Sequence, residues 1–189
     1  NRWGVIDSFN KIIIRFKYDN HTCFINGLAQ VTLFGNWGFI DKNGKVVVPI
    51  KYDYVEQFSE NGLAKAVLNN KFGFVDNTGK EIIPLMYNYA SDFSFGLAKV
   101  ELNGKCGFID YNMNFVVPLI YDYISDFFHE ELACFKSNGM FGYVDKNGNE
   151  AIPPIFFEAK NFEKGMALVN LDGTEGYIDK FGNWIKDYY

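Results

Sequence analysis

The chain has 189 residues, a net charge of −5 and a pI near 5.1, with 48% hydrophobic and 19% aromatic residues. This composition supplies enough apolar material for a folded core, and its acidity argues against duplex nucleic acid, which needs a basic face on its partner. No apolar run reaches the roughly 18 residues of a membrane-spanning helix, so we expect no membrane insertion.

The cysteine content excludes two further classes. Cys23, Cys106 and Cys134 are odd in number, far apart and without a Cys-x-x-Cys pair, so neither a disulfide framework nor a zinc site is expected. Unpaired thiols favour a reducing, cytoplasmic compartment. Because the chain begins at Asn1 rather than Met, we expect a fragment or a processed form.

A repeat organises the whole sequence. Its central glycine recurs at intervals of 34 or 35 residues and is followed three residues later by Asp in every copy. The glycines are Gly4, Gly38, Gly73, Gly107, Gly142 and Gly176. A fixed period of this length predicts one tandem-repeat domain over residues 1–189, with five full periods and a half.

Each period reads as short strands separated by turn signals. In the third full period, Leu97–Leu102 is one predicted strand, Asn103-Gly104 a two-residue hairpin turn, and Lys105–Asp110 the return strand. A β-branched strand follows, and we expect proline to close it because proline cannot donate to a ladder. A short aromatic segment and a Gly-Leu-Ala triplet then lead into the next copy.

Alternation assigns the faces of the Leu-Ala strand. One side carries Ala29, Val31 and Leu33, and we assign it to the core. The opposite side should be largely exposed to solvent. That opposite side carries Gln30, Thr32, Lys65, Lys99, Glu101, Cys134 and Lys136. One unit of about 34 residues buries too little to offset its backbone entropy, so neighbouring copies must cover each other.

The predicted fold class is therefore all-β, a tandem array of antiparallel β-hairpin or meander units. The chain holds six copies of the Gly-centred strand but five of the Leu-Ala strand. Its ends duplicate rather than complement each other, which favours an open superhelical array. A closed β-propeller is the alternative.

The repeat resembles the WG-repeat (KWG-repeat) family of bacterial proteins. The second copy carries its pattern in Trp37-Gly38-Phe39-Ile40-Asp41, Gly44, Val48-Pro49, Tyr52-Asp53, Phe58 and Gly62-Leu63-Ala64. Departures include Cys106 and Glu175 at the Trp position, Met113 at the turn glycine, and Phe156-Phe157 for Tyr-Asp. The resemblance implies an all-β scaffold for binding and no catalytic residue.

Three recurrent residue types have structural interpretations. We expect each Asp to accept hydrogen bonds from the turn after it; a calcium site is the alternative if the carboxylates stack. The central glycine should leave room for an aromatic side chain from a neighbouring strand or repeat. The recurring Tyr and Phe should be core residues, although a sugar-stacking platform is the alternative.

No catalytic or cofactor-binding constellation is visible. His21 and His129 do not recur, and neither a nucleophile motif nor a phosphate-binding loop occurs. We therefore expect a protein that is not an enzyme and holds no cofactor or metal.

Function should reside where copies depart from the repeat, because fixed positions serve the scaffold. We predict a scaffold for protein–protein interaction, with a glycan- or cell-wall-binding module as the alternative. The candidate partner-binding residues are Phe95, Phe128, His129, Met140, Phe141, Phe156 and Phe157, with Lys65, Lys99, Glu101 and Lys136 on the polar strand face.

Overall fold

The computed structural model describes residues 2–185 of the protein. This range contains 21 β-strands and no helix, in six antiparallel sheets, so the predicted all-β tandem array is confirmed. The strands of each sheet follow one another in sequence as a meander. The chain divides between Asn88 and Tyr89 into two compact units, and each is described by itself.

Unit 1 contains three sheets. Sheet one has two strands, β1 (Trp3–Ile6) and β2 (Ile12–Tyr18). Sheet two consists of β3 (Asn20–His21), β4 (Leu28–Leu33), β5 (Asn36–Asp41) and β6 (Val46–Tyr52). Sheet three consists of β7 (Tyr54–Val55), β8 (Leu63–Leu68), β9 (Lys71–Asp76) and β10 (Glu81–Tyr87).

Unit 2 contains the other three. Sheet four consists of β11 (Tyr89–Ala90), β12 (Ala98–Leu102), β13 (Lys105–Ile109) and β14 (Phe115–Tyr121). Sheet five consists of β15 (Tyr123–Ile124), β16 (Leu132–Ser137), β17 (Met140–Asp145) and β18 (Glu150–Phe156). Sheet six consists of β19 (Glu158–Ala159), β20 (Ala167–Leu171) and β21 (Thr174–Ile178). A complete sheet thus contains four strands in chain order, which we call the short strand, the Leu-Ala strand, the Gly strand and the Pro strand; in sheet four these are β11, β12, β13 and β14.

The hairpin between the Leu-Ala and Gly strands forms as predicted. In sheet four, Leu102 pairs with Lys105 across Asn103 and Gly104, whose φ angles are 53° and 73°. Two successive positive φ angles define the type I′ turn, which matches the twist of the flanking strands. Asparagine and glycine adopt these angles at little cost, so local sequence determines this turn.

The central glycine has a different role from the predicted one. A methyl group built on Gly38 would lie 2.6 Å from the carbonyl oxygen of Val48 and 2.8 Å from the carbonyl oxygen of Pro49. The prediction of room for an aromatic ring is wrong, because backbone of the Pro strand occupies the space. The Pro strand crosses there in a bulge, where close approach requires glycine.

Proline does not close its strand. Strand β6 runs on through Pro49 to Tyr52, and its pairing with β5 shifts register between the Trp37–Tyr52 and Phe39–Val48 pairs. Proline is tolerated in this strand because bulged positions leave ladder bonds unmade. The corresponding residue of the sixth copy, Asp187, lies outside the described residues.

The recurrent Asp residues organise the turn between the Gly and Pro strands, as predicted. Asp41 Oδ1 accepts hydrogen bonds from the backbone N–H groups of Asn43 and Lys45, both at 2.9 Å. The same pair of bonds is made by Asp7, Asp76, Asp110, Asp145 and Asp179. A carboxylate that satisfies two turn amides replaces water at the loop tip.

The core lies between consecutive sheets within each unit, which confirms that copies cover one another. In unit 1, Val48 and Tyr52 of sheet two pack with Ala64 and Val75 of sheet three. In unit 2, Phe108 of sheet four belongs to one cluster with residues of sheet five, and sheets five and six share another. Of the recurring aromatics, Tyr18, Tyr52, Tyr87, Tyr121 and Phe156 are all buried, as predicted. In the second recurring series Phe162 is buried and Phe24, Phe58 and Phe93 are partly buried, but the prediction is wrong for Phe127, which is 45% exposed, because the adjacent Phe128 packs against Phe108 instead.

The prediction that one face of the Leu-Ala strand is exposed to solvent is wrong. Gln30, Thr32, Lys99 and Cys134 are buried, because the next sheet covers this face as well. The side chain of Gln30 donates a hydrogen bond to the carbonyl of Val55 in sheet three. This bond to the backbone of the following sheet removes most of the cost of burying the Gln30 amide.

Candidate partner-binding groove

Among the described residues, two-residue turns precede four of the five Leu-Ala strands, one in unit 1 and three in unit 2. In unit 2, Ser94 pairs with Leu97 and His129 with Leu132, so each pair encloses two residues. Both enclosed residues of such a turn have positive φ, a conformation that favours asparagine and glycine. The turn of this kind in unit 1, Asn26-Gly27, has that composition.

All three of these turns in unit 2 hold residues that this geometry disfavours, the third being Lys164 at φ 52° before Gly165. Phe95 has φ 51° before Gly96, and the next turn places Glu130 at φ 50° and Glu131 at φ 76°. A non-glycine L-residue in the left-handed region costs about 1–2 kcal/mol. Strained backbone of this kind concentrates at functional sites, and the turns at Phe95-Gly96 and Glu130-Glu131 lie beside the same groove.

A groove of about 590 Å³ lies between these two turns. Phe128 lies in it, with its ring centroid 4.8 Å from that of buried Phe108. Phe95 is 88% exposed. The lining residues are Phe95, Leu97, Phe128, Glu130, Glu131 and Lys146. The groove therefore combines an anchored aromatic ring with a projecting one.

Charged side chains line the groove beside its apolar surface. Glu131 Oε1 lies 3.2 Å from Lys146 Nζ, and both side chains are exposed. Glu130 Oε2 accepts a hydrogen bond from the Gly165 amide at 2.8 Å and lies 3.7 Å from Lys180 Nζ. Exposed ion pairs of this type contribute about 0–1 kcal/mol, so they orient the rim more than they stabilise it.

This arrangement has the anatomy of a binding surface. An apolar centre with a polar rim is the anatomy of a protein interface, and a projecting aromatic is the usual anchor. The described residues that line the groove offer a lysine and two carboxylates but no serine, cysteine, threonine or histidine.

The structure brings together two of the predicted site residues. Phe95 and Phe128 line the groove. His129 follows Phe128, but its described role is a backbone pairing with Leu132 at the base of the turn.

The predicted residues Met140, Phe141, Phe156 and Phe157 lie elsewhere in sheet five, at the start of β17 and at or just after the end of β18. Phe156 is only 2% exposed and belongs to the core, so it offers no binding surface. Phe141 is partly buried against the same core cluster. Phe157 is exposed, and Met140 is half-buried at the start of β17.

The four charged residues of the predicted polar face are held inside or at the edges of the sheets. Lys99 is 7% exposed and binds Asp126 at 2.8 Å between the rings of Tyr89 and Tyr123. Lys65 pairs with Glu56 in unit 1. Glu101 and Lys136 are half-buried. Burial by the next sheet keeps these groups from forming one exposed surface.

Sequence reasoning missed Leu97, Glu130, Glu131 and Lys146 as lining residues. Glu131 carried a usable signal, because it stands where other copies have the glycine of Gly-Leu-Ala. Lys146 carried none, because lysine is common at that turn position. Its place in the groove depends on the stacking of sheets within unit 2.

Three further features of the described residues concern the requirements of a metal site, a membrane-spanning helix and a reactive cysteine. Residues 2–185 contain no group of three or more His, Cys, Asp or Glu side chains placed to hold a metal ion. None of the residues described forms a helix that could span a membrane. Cys23 is exposed, whereas Cys106 and Cys134 are buried, and burial raises the pKa of the Cys134 thiol to about 12.

Fold and site together define an all-β tandem-repeat protein with an apolar groove on one loop cluster. The model of the WG containing repeat matches five times, over residues 3–35, 37–72, 72–106, 107–140 and 141–174. The chain belongs to this WG-repeat family. No curated protein matches the sequence.

Solved structures resemble the chain only in part. Kluyveromyces lactis Hsv2 is 10% identical, with a TM-score of 0.46 over 85% of this chain and 58% of its own. A eukaryotic initiation factor is 12% identical, with a TM-score of 0.45 over 97% of this chain and 60% of its own. The extracellular domain of the putative one-component system BT4673 from B. thetaiotaomicron is 9% identical, with a TM-score of 0.40 over 98% of this chain and 30% of its own. The chain thus spans less than two thirds of each of these proteins.

Proposed function

We propose that the chain is a non-enzymatic repeat scaffold that binds a protein partner through the groove of unit 2. The observation that carries the proposal is the placement of Phe95, 88% exposed and in the left-handed region, beside the groove. Compared with phenylalanine, asparagine at this turn position would expose less apolar surface and would adopt the positive φ angle with less strain. A phenylalanine that is exposed and strained and also lines an apolar groove has a natural role as an interface anchor.

The rest of unit 2 supports this role through rigidity. Phe128 is held against the core, and Leu97 is almost fully buried at the start of the Leu-Ala strand. A pre-formed pocket avoids the ordering cost that a flexible loop would incur on binding. Glu131 and Lys146 on the rim can select a partner by charge, while the aromatic rings supply most of the affinity.

The test uses a turn that is matched in geometry. Phe34 occupies a two-residue hairpin turn of unit 1 at φ 52° and is 79% exposed, so Phe34→Asn is the control for Phe95→Asn. A photo-crosslinking amino acid at position 95 of the full chain identifies the partner in cells, and titration calorimetry then compares the purified variants.

We expect Phe95→Asn to weaken the partner's binding by at least about tenfold, because an anchor residue contributes more than 1 kcal/mol. Phe34→Asn should leave binding within about twofold. Equal affinities for the wild type and the Phe95→Asn chain would remove the groove as the site. Crosslinking to a polysaccharide instead of a protein would favour the glycan-binding alternative.

A further inference from the structure

Unit 1 contains a groove of about 290 Å³ in the place that the larger groove takes in unit 2. Each groove lies beside the turns that precede two successive Leu-Ala strands. In unit 1 these are Asn26-Gly27 and a second turn that begins at Ser59, whose N–H donates to the Leu63 carbonyl. The second turn encloses three residues, whereas its counterpart in unit 2, from His129 to Leu132, encloses two.

The floors of the two grooves are equivalent. Leu28 in unit 1 and Leu97 in unit 2 are both the leucine of a Gly-Leu-Ala triplet. In unit 1, Phe58 packs on buried Phe39 with ring centroids 4.7 Å apart, and the equivalent ring pair in unit 2 is 4.8 Å apart. A floor of one leucine and two phenylalanines therefore accepts the same kind of apolar side chain in both units.

The rims differ in charge. In unit 2 the chain itself supplies partners for Glu130, namely the Gly165 amide and the Lys180 ammonium. The corresponding residue of unit 1 is Glu60, which follows Ser59 as Glu130 follows His129. Glu60 is exposed, and its carboxylate makes no hydrogen bond or ion pair within residues 2–185. The groove of unit 1 therefore has an anionic group that the folded chain leaves to solvent.

The rest of the unit 1 rim is neutral. Of the described residues that line this groove, Glu60 alone is charged. Asn77 stands at the turn position that Lys146 occupies in unit 2, directly after a recurrent Asp. The side-chain amides of Asn26 and Asn77 make no hydrogen bond to any described residue. Each offers a donor and an acceptor, which match the N–H and C=O groups of an extended main chain.

We propose that the unit 1 groove binds a short extended peptide segment of a protein partner, with a leucine on the Phe58 floor and an arginine on Glu60. The two side chains are two residues apart, because alternate residues of an extended chain share one face. Arginine fits because its guanidinium pairs with a carboxylate through two parallel hydrogen bonds. This inference extends the proposed function to a second groove that does not contain Phe95.

Size and charge both favour this occupant. A volume of 290 Å³ is close to the lower limit of about 300 Å³ for ligand pockets, which suits one large side chain and its main chain better than a packed helix. The chain has a net charge of −5, which attracts a basic segment over longer distances.

The experiment titrates the full chain with the blocked peptide acetyl-Gly-Leu-Gly-Arg-Gly-amide and follows the backbone amides by two-dimensional NMR. One control peptide replaces arginine with glutamate, and another replaces leucine with alanine. The test variant is Glu60→Gln. Its matched control is Glu175→Gln, which removes the same charge from an exposed position in unit 2.

We expect the arginine peptide to shift the amides of Asn26, Gly62 and Asn77, with a dissociation constant of about 1 mM for so small a contact. Each control peptide should bind at least threefold more weakly. Glu60→Gln should weaken the arginine peptide at least threefold, and Glu175→Gln should change its affinity by less than about 1.5-fold.

Equal affinities of the arginine and glutamate peptides, equal effects of the two variants, or no shift of these three amides would overturn the proposal. Stronger shifts of the same amides by N-acetylglucosamine would also overturn it, in favour of a sugar. The titration is repeated on the Phe95→Asn chain. Peptide binding that persists there, with or without loss of the unit 2 partner, separates the failure of one groove from the failure of the other.

Discussion

The central glycine offers the sharpest test of the fold, and Gly107→Ala is the most informative substitution. A methyl group at Gly107 would lie 2.5 Å from the Val117 carbonyl oxygen and 2.7 Å from that of Pro118. Ordinary contact begins near 3.4 Å, so β14 would have to move by roughly 0.9 Å. This strand carries Val117 and Tyr121, which are fully buried in the core of unit 2.

The structure also sets the size of the effect. Overpacking a well-packed core costs about 1–3 kcal/mol, and the clash here is with backbone, which cannot rotate away. We therefore expect Gly107→Ala to cost about 3 kcal/mol. With a urea m-value of about 2 kcal/mol per molar, the unfolding midpoint falls by about 1.5 M.

The control lies three residues away in the same hairpin. Gly104 has φ 73° and nothing within 4 Å of the position that a methyl group would take, so Gly104→Ala carries only conformational strain. That strain is about 1 kcal/mol. Urea titrations followed by far-ultraviolet circular dichroism should separate the two variants by about 2 kcal/mol. Equal midpoints would refute the assignment of the glycine to close backbone approach.

Three further predictions concern buried or hydrogen-bonded groups. At mildly alkaline pH, a thiol reagent should modify Cys23 of the native protein rapidly, but Cys106 and Cys134 only after unfolding. Cys106 and Cys134 are protected because burial raises the pKa of both thiols. Simultaneous modification of all three cysteines would contradict the burial of Cys106 and Cys134. Hydrogen bonds from the Asn114 side chain and from turn amides lower the pKa of Asp110. The carboxylate therefore stabilises the fold above its unfolded pKa, which is near 4, and this contribution is lost as the pH falls through the lower folded pKa. Asp110→Ala should narrow the difference in urea midpoint between pH 7 and pH 3, and an unchanged difference would count against this role. Asp126→Ala should destabilise the protein by about 1–3 kcal/mol more than Lys99→Met. Asp126→Ala leaves the buried Lys99 ammonium unpaired, whereas Lys99→Met leaves only the half-exposed Asp126 carboxylate. Thermal or urea titrations of the two variants measure the difference, and equal losses of stability would show that Lys99 remains hydrated.

The local sequence determined the repeat unit. Period, turn residues and alternation are properties of neighbouring residues, so the strands, the Asn103-Gly104 hairpin and the hydrogen-bonded Asp turns could be read directly. Burial of Tyr52 and its equivalents in the other copies followed from the same periodicity. The interaction of one copy with the next was also implied, because a single copy buries too little surface to fold.

How the copies cover each other depends on contacts between residues that are far apart in the sequence. Stacking on both faces of a sheet turned the expected wet side of the Leu-Ala strand into interior, which buries Lys99 and Cys134. The bulge in the Pro strand, which sets the space above Gly107, depends on pairing across the sheet. The groove beside Phe95 joins turns from two successive repeats, and no pattern within one repeat reports a distance between two repeats.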